Sequence, residues 1–154
     1  MNKTGEEMTI SDAGMTADDC EQAWPDVNLD EFSNLQMMQV ETLKKLQHIC
    51  SKAKRRRGWQ HRINSDYRSY GSGQHTRGTA VDIVFYKKAL GDVSVVKQYL
   101  FALRFEFNGV GIYPHWMTPG IHIDTRSVGF KAMWYCDNRG RYISIDRYIK
   151  KPKG

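Results

Sequence analysis

A chain of 154 residues and 17.9 kDa has room for a single core, which excludes a two-domain enzyme, and its 40% hydrophobic and 12% aromatic content excludes a wholly disordered one. The formal charge of +6 is unevenly spread: residues 1–31 hold nine Asp/Glu against Lys3 alone, while residues 32–154 hold 22 Lys/Arg against eight acids. So basic a body suits an anionic partner, nucleic acid or an acidic polymer such as a bacterial cell wall, and no run of about 18 apolar residues offers a membrane segment.

Residues 1–24 are acidic and poor in large aliphatic side chains, so they are expected to form a mobile N-terminal arm hinged at Trp24-Pro25-Asp26, able to become helical against a partner over Ser11 to Ala23. Residues 25–154 are then the single folded domain. Met1 to Glu7 shows no basic region followed by an apolar run. The expectation is synthesis in the cytoplasm without a signal peptide, with other factors carrying the chain to any site outside. Cys20, Cys50 and Cys136 are widely spaced and form no C-x-x-C, which argues against a disulfide framework and against a thiolate zinc site.

From Asp30 onward Phe32, Leu35, Met38, Leu43, Leu46 and Ile49 recur at three- and four-residue steps, predicting an amphipathic helix that ends near Lys52. The run Lys52 to Arg57 closed by Gly58 reads as the C-terminus of that helix, where cations complement its dipole. As a nucleic-acid patch it is unfavoured, because no aromatic platform accompanies it. Strands are predicted at Gln60 to Asn64 and Thr79 to Tyr86, and a helix at Val93 to Phe105 with Val96, Leu100 and Leu103 inward. Further strands follow at Gly109 to Tyr113 and Ile121 to Thr125. A hairpin pairs Lys131–Tyr135 with Tyr142–Ile145 through Asp137 to Gly140. This order predicts an α+β fold with helices packed against a mostly antiparallel sheet.

The chemistry gathers around Asp82, a carboxylate set among Ala80, Val81, Ile83, Val84 and Phe85, which is costly to bury without a cation, a metal or several donors. His75 lies seven residues earlier, in the loop that feeds the strand. Alternation along Ile121-His122-Ile123-Asp124 sends His122 and Asp124 to one face. His75, Asp82 and His122 would supply two imidazoles and a carboxylate, a usual ligand set for catalytic Zn2+ at about 2.0–2.2 Å per bond. The alternative is a buried Asp bonded to loop amides beside a surface His.

Ser65-x-Tyr67-Arg68-Ser69, then His75-x-x-Gly78-x-Ala80-x-Asp82-Ile83, then Gly109-x-Gly111-x-Tyr113 ahead of His122-x-Asp124-x-Arg126 resembles the zinc D-alanyl-D-alanine carboxypeptidase family and its peptidoglycan-cleaving relatives, which share a fold with the hedgehog signalling domain. The resemblance runs from about residue 30 to residue 136. It implies a hedgehog-like metallopeptidase fold, zinc held by His75, Asp82 and His122, and Arg68 holding a substrate carboxylate, a task suited to a bidentate guanidinium. It also implies hydrolysis of a peptide bond in peptidoglycan stem peptides, as carboxypeptidase or endopeptidase, in the manner of a phage lysin or a virion-associated protein.

Two departures bear on the chemistry. Gly73 stands where relatives often carry serine, and the general base is missing, with Pro119 where many have Glu and Gly120 where some have a second His. Asp124 is then the first candidate catalytic base, although about 6.6 Å along a strand from His122 also suits a residue that orients a ligand. His115 and Glu106 follow. Tyr113, Trp116 and Trp134 are candidates to line the cleft. The alternative function is a non-catalytic cell-wall-binding or structural module that retains the fold.

Overall fold

The computed structural model describes residues 8–149 and shows an α+β chain built on one mostly antiparallel sheet. Its strands are β1 (Gln60–Ser65), β2 (Ala80–Lys87), β3 (Gly91–Asp92), β4 (Gly109–Tyr113), β5 (Gly120–Asp124), β6 (Ala132–Cys136) and β7 (Tyr142–Ser144), joined by helices α1 (Ala17–Ala23), α2 (Val40–Lys52), α3 (Val95–Ala102) and α4 (Ile145–Ile149). The strand order is β1-β2-β5-β4-β6-β7, with β3 against the end of β2, and only β4 and β6 run parallel. No helix among the described residues is long and apolar enough to cross a membrane.

Alternation divides the sheet into two unlike faces. Val81, Ile83, Phe85, Val110, Ile112, Ile121 and Ile123 are fully buried in the core on one side. Asp82, His122 and Asp124 occupy the intervening positions and therefore the other side. Helix α3 packs against β4 and β5.

Residues 8–24 are not a separate arm. Ile10, Cys20 and Trp24 are buried in the same core as the sheet, and the chain bridges Thr9 to Gln39, with the amides of Ile10 and Val40 donating to the carbonyls of Met38 and Met8 at 2.9 and 2.8 Å. Helix α1 starts with a capping box between Thr16 and Asp19, which satisfies orphan amides at its N-terminus. Three well-spaced apolar residues are enough to dock a stretch that average composition marks as an arm. The expected hinge is a fixed point, since the Asp26 carboxylate accepts from Gln47 Nε2 at 2.8 Å and pairs with Lys54 at 3.6 Å. Residues 1–7 of the expected arm lie outside the described residues.

The helix expected from Asp30 begins ten residues later, at Val40. Residues 29–37 hold two single 3-10 turns instead, because their polar groups pair across the chain: Glu31 accepts from the Ile63 amide at 2.9 Å, and the amides of Ser33 and Asn34 donate to the Asp66 carboxylate at 3.2 and 2.8 Å. Gly58, at φ 67°, closes the basic run as expected.

Helix α3 also turns a different side inward. Val95, Gln98, Tyr99 and Ala102 are buried, whereas Leu100 is 51% exposed. The reason is Gln98, which bonds the Phe85 amide at 2.9 Å and the Val93 carbonyl at 2.9 Å, beyond the last register pair of β2 with β5. A hydropathy pattern assigns such a residue to the surface.

His61 on β1 is buried, and its Nε2 accepts the Asn28 amide at 3.1 Å. Burial lowers its pKa from 6.5 to about 4. The unfolded chain therefore takes up a proton between those values that the folded chain refuses, so the contribution is complete above about pH 6.5 and is lost as pH falls toward 4. Wild type should lose about 2 kcal/mol of unfolding free energy between about pH 7 and pH 5 that His61→Gln does not lose, measured by urea titration. Equal losses would exclude His61 as the source.

Candidate metal centre

Two ligand candidates come from adjacent strands and one from a loop. Asp82 on β2 is the register partner of His122 on β5, and the same cross-strand row continues through Gly111 to Trp134. His75 sits in a one-turn 3-10 segment, Gln74–Arg77, which ends at Gly78 with φ 72°. A side chain at Gly78 would meet the Met37 carbonyl, and glycine alone accommodates both the left-handed backbone and that close approach before the chain enters β2.

The three side chains converge. His75 Nε2 lies 3.2 Å and His122 Nδ1 3.1 Å from Asp82 Oδ1, and one ligand atom from each residue falls within 4.8 Å of the others. Asp82 is 7% exposed and His122 is buried, while His75 is half-buried. These residues could hold a metal ion.

The hydrogen bonds on the far sides of the rings make the case stronger than proximity does. His75 Nδ1 faces the Asp66 carbonyl at 2.8 Å, which only accepts, so this nitrogen carries the proton. His122 Nε2 faces Asp124 Oδ2 at 2.7 Å and donates likewise. The remaining nitrogens, His75 Nε2 and His122 Nδ1, both face the same carboxylate oxygen, Asp82 Oδ1. A positive charge at that point, either a proton on one ring or a bound metal ion, would relieve the opposition of acceptors. Burial opposes ionisation of Asp82, but the hydrogen-bonded imidazoles hold its pKa at about 2, and burial opposes a charge on His122, yet Asp124 and Asp82 push its pKa up, so the site favours a cation at this point and a proton on His122 competes with a metal for it.

Arg68 completes the near side of the centre. Its Nη2 donates to Asp82 Oδ2 at 3.1 Å and its Nε to Ser65 Oγ at 3.0 Å, with 36% of the side chain left on the cleft. It is both an ion-pair partner of Asp82 and part of the cleft wall.

Asp124 lies behind His122 and Arg126 and does not line the cleft. It is fully buried, and Arg126 grips both of its oxygens at 2.8 and 2.7 Å while His122 takes Oδ2 from the other side. Burial opposes ionisation, and the Arg126 bonds and then His122 hold its pKa at about 2. Room for this carboxylate comes from Gly109, where a Cβ would overlap it, and room for the Trp134 indole comes from Gly111 in the same way. The Gly109-x-Gly111 pattern is thus a packing requirement of the centre.

The centre opens into a cleft of about 430 Å³ lined by Arg68, His75, Asp82, Tyr113, Trp116, His122, Arg126 and Trp134, with residues 70–74 along one lip and Tyr142 on the lining. Tyr113 stacks on Trp116 at 4.4 Å, and Trp134 Nε1 donates to the Tyr113 hydroxyl at 3.1 Å. Burial raises the Tyr113 phenol well above its ordinary value, so it stays protonated. His115 and Glu106 do not line the cleft: His115 is exposed on the 114–117 turn, and Glu106 is 84% exposed and pairs with Lys45 at 3.9 Å.

Sequence reasoning missed the Asp66 carbonyl, which carries no side-chain signal, and Arg126 as the counter-charge of Asp124. The latter was readable, since Arg126 follows Asp124 by two residues just past the strand end. Comparison with protein-family models, with curated proteins and with solved structures found no match to this chain.

Proposed function

We propose that the protein is a zinc-dependent peptidase with a hedgehog/D-Ala-D-Ala-peptidase-like fold that hydrolyses a peptide bond in peptidoglycan stem peptides. The observation that carries this reading is the convergence of two oriented imidazoles and one carboxylate at the foot of an open cleft. Three protein ligands with a fourth position accessible distinguish catalytic zinc sites from closed structural ones. The ordered motifs described above, the cleft and the adjacent Arg68 support the same reading.

His75, Asp82 and His122 would hold the ion, which when bound polarises a carbonyl and acidifies water. Arg68 anchors a carboxylate of the peptide with the donors not used by Asp82 and Ser65, and so fixes the scissile bond relative to the centre. Tyr113 has one lone pair taken by the Trp134 N–H, and its phenolic proton is available to donate to oxygen on which negative charge develops. Asp124 holds the His122 ring and its tautomer from behind, and does not itself reach the substrate.

This role for Asp124 has a direct test. Asp124→Asn should weaken zinc binding about 10- to 100-fold, with cleavage largely recovered at saturating zinc. Cleavage that stays absent at full zinc occupancy would show instead that Asp124 is the base.

A second reading, a wall-binding module that keeps the fold and the metal without turnover, draws on one observation. Among the described residues the cleft lining has no carboxylate or imidazole besides the three ligands. Mass spectrometry of muropeptides after digestion, with and without chelator, decides between the two. Chelator-sensitive loss of one peptide bond is the expected result. Intact muropeptides together with wall binding would establish the module.

A further inference from the structure

A second depression, of about 630 Å³, shares no lining residue with the cleft. It is walled by Arg56 and Arg57 from the turn after α2, Lys87 from the end of β2, and Lys97 and Arg104 from α3 and the turn that follows it, all exposed, with Asp92 its one acid. None of these five cations pairs with a carboxylate among the described residues. Arg57 lies over the rings of Trp59 and Phe101 at 5.7 and 5.4 Å, which fixes its position at the rim.

Two leucines stand among these charges. Leu90, at the tip of the turn between β2 and β3, is 78% exposed, and Leu100 is 51% exposed between Lys97 and Arg104 on the outward side of α3. Exposed apolar side chains ringed by cations fit neither a solvated charged face nor a nucleic-acid groove. The aromatics that line the depression, Trp59 and Phe101, are 4% and 3% exposed and offer no ring for base stacking. A phospholipid interface satisfies both features: its anionic headgroups attract the cations, and its acyl boundary takes up the leucines.

We infer that this face docks the protein on an anionic phospholipid surface, with Leu90 and Leu100 entering the interface and Arg56, Arg57, Lys87, Lys97 and Arg104 on the headgroups. The contact is peripheral and independent of the metal centre. It would hold the chain at the bilayer while the cleft, elsewhere on the molecule, stays accessible.

The test is co-sedimentation of the full chain with vesicles of phosphatidylcholine alone and of phosphatidylcholine mixed with phosphatidylglycerol. Binding should require phosphatidylglycerol and weaken with salt. The double variant Lys97→Glu, Arg104→Glu should lower it on the order of a hundredfold, and Leu90→Ser about tenfold. Both changes lie on exposed positions, and unchanged thermal midpoints and unchanged zinc content would confirm intact variants. No binding to the mixed vesicles, or equal binding by wild type and both variants, overturns the proposal. So does a charge-only result, in which Leu90→Ser binds vesicles as wild type does while duplex DNA is bound more tightly than lipid.

Discussion

Asp82→Ala should abolish zinc binding and lower muropeptide cleavage by more than about three orders of magnitude, while leaving a folded chain. Asp82 is the point on which the centre turns: both imidazoles face its Oδ1, and its Oδ2 holds Arg68. Its removal takes away one of three ligands and the group that fixes the arginine, so ion binding and peptide placement fail together. Losing electrostatic stabilisation of one developing charge costs about 10²- to 10³-fold, and loss of a metal removes several kcal/mol more. A readout independent of activity is available. Zinc at about a thousand times its dissociation constant should stabilise wild type by about 4 kcal/mol, or roughly 10 °C in thermal midpoint, and should leave Asp82→Ala unmoved. An equal shift in both proteins would show that zinc binds elsewhere.

Gly109→Ala should be strongly destabilising although it adds a single methyl group. The new Cβ would overlap the Asp124 carboxylate, which is fully buried and cannot move aside without releasing Arg126 and His122. Breaking a buried, hydrogen-bonded charge network costs about 3–5 kcal/mol, equivalent to a fall of about 10 °C in midpoint for a chain of this size. Gly129→Ala is the control, because a Cβ there meets nothing within 4 Å. Calorimetry of the two variants beside wild type measures the difference. Similar midpoints for both would mean that the glycine makes no room for the carboxylate.

The parts of the protein that sequence reasoning reached are those written in side-chain order. The strand around Asp82 follows from its nearly continuous apolar run and that around His122 from alternation, and the pairing of His75, Asp82 and His122 follows from one odd carboxylate and two histidines in reach of it. What escaped depends on partners distant in sequence. The 3-10 turns of residues 29–37 exist because Asp66 and the Ile63 amide compete for their polar groups. Gln98 is inside because the Phe85 amide has no strand partner there. The docking of residues 8–24 rests on three side chains and a backbone bridge, too few to shift an average over an acidic stretch. Asp124 was located correctly on the strand face, but its burial between His122 and the Arg126 guanidinium was not foreseen.

The three ligands differ in how stiffly they are mounted. Asp82 and His122 are neighbours across the β2–β5 ladder, so their separation is set by interstrand spacing and does not respond to what is bound. His75 rides on a single turn between Gly73 and Gly78, tied to its surroundings by the Asp66 carbonyl, the Arg68 amide and Thr79 and not by a strand ladder. If these residues hold a metal, an ion of different radius would be accommodated on the His75 side, by displacement of that turn, and not across the strand pair.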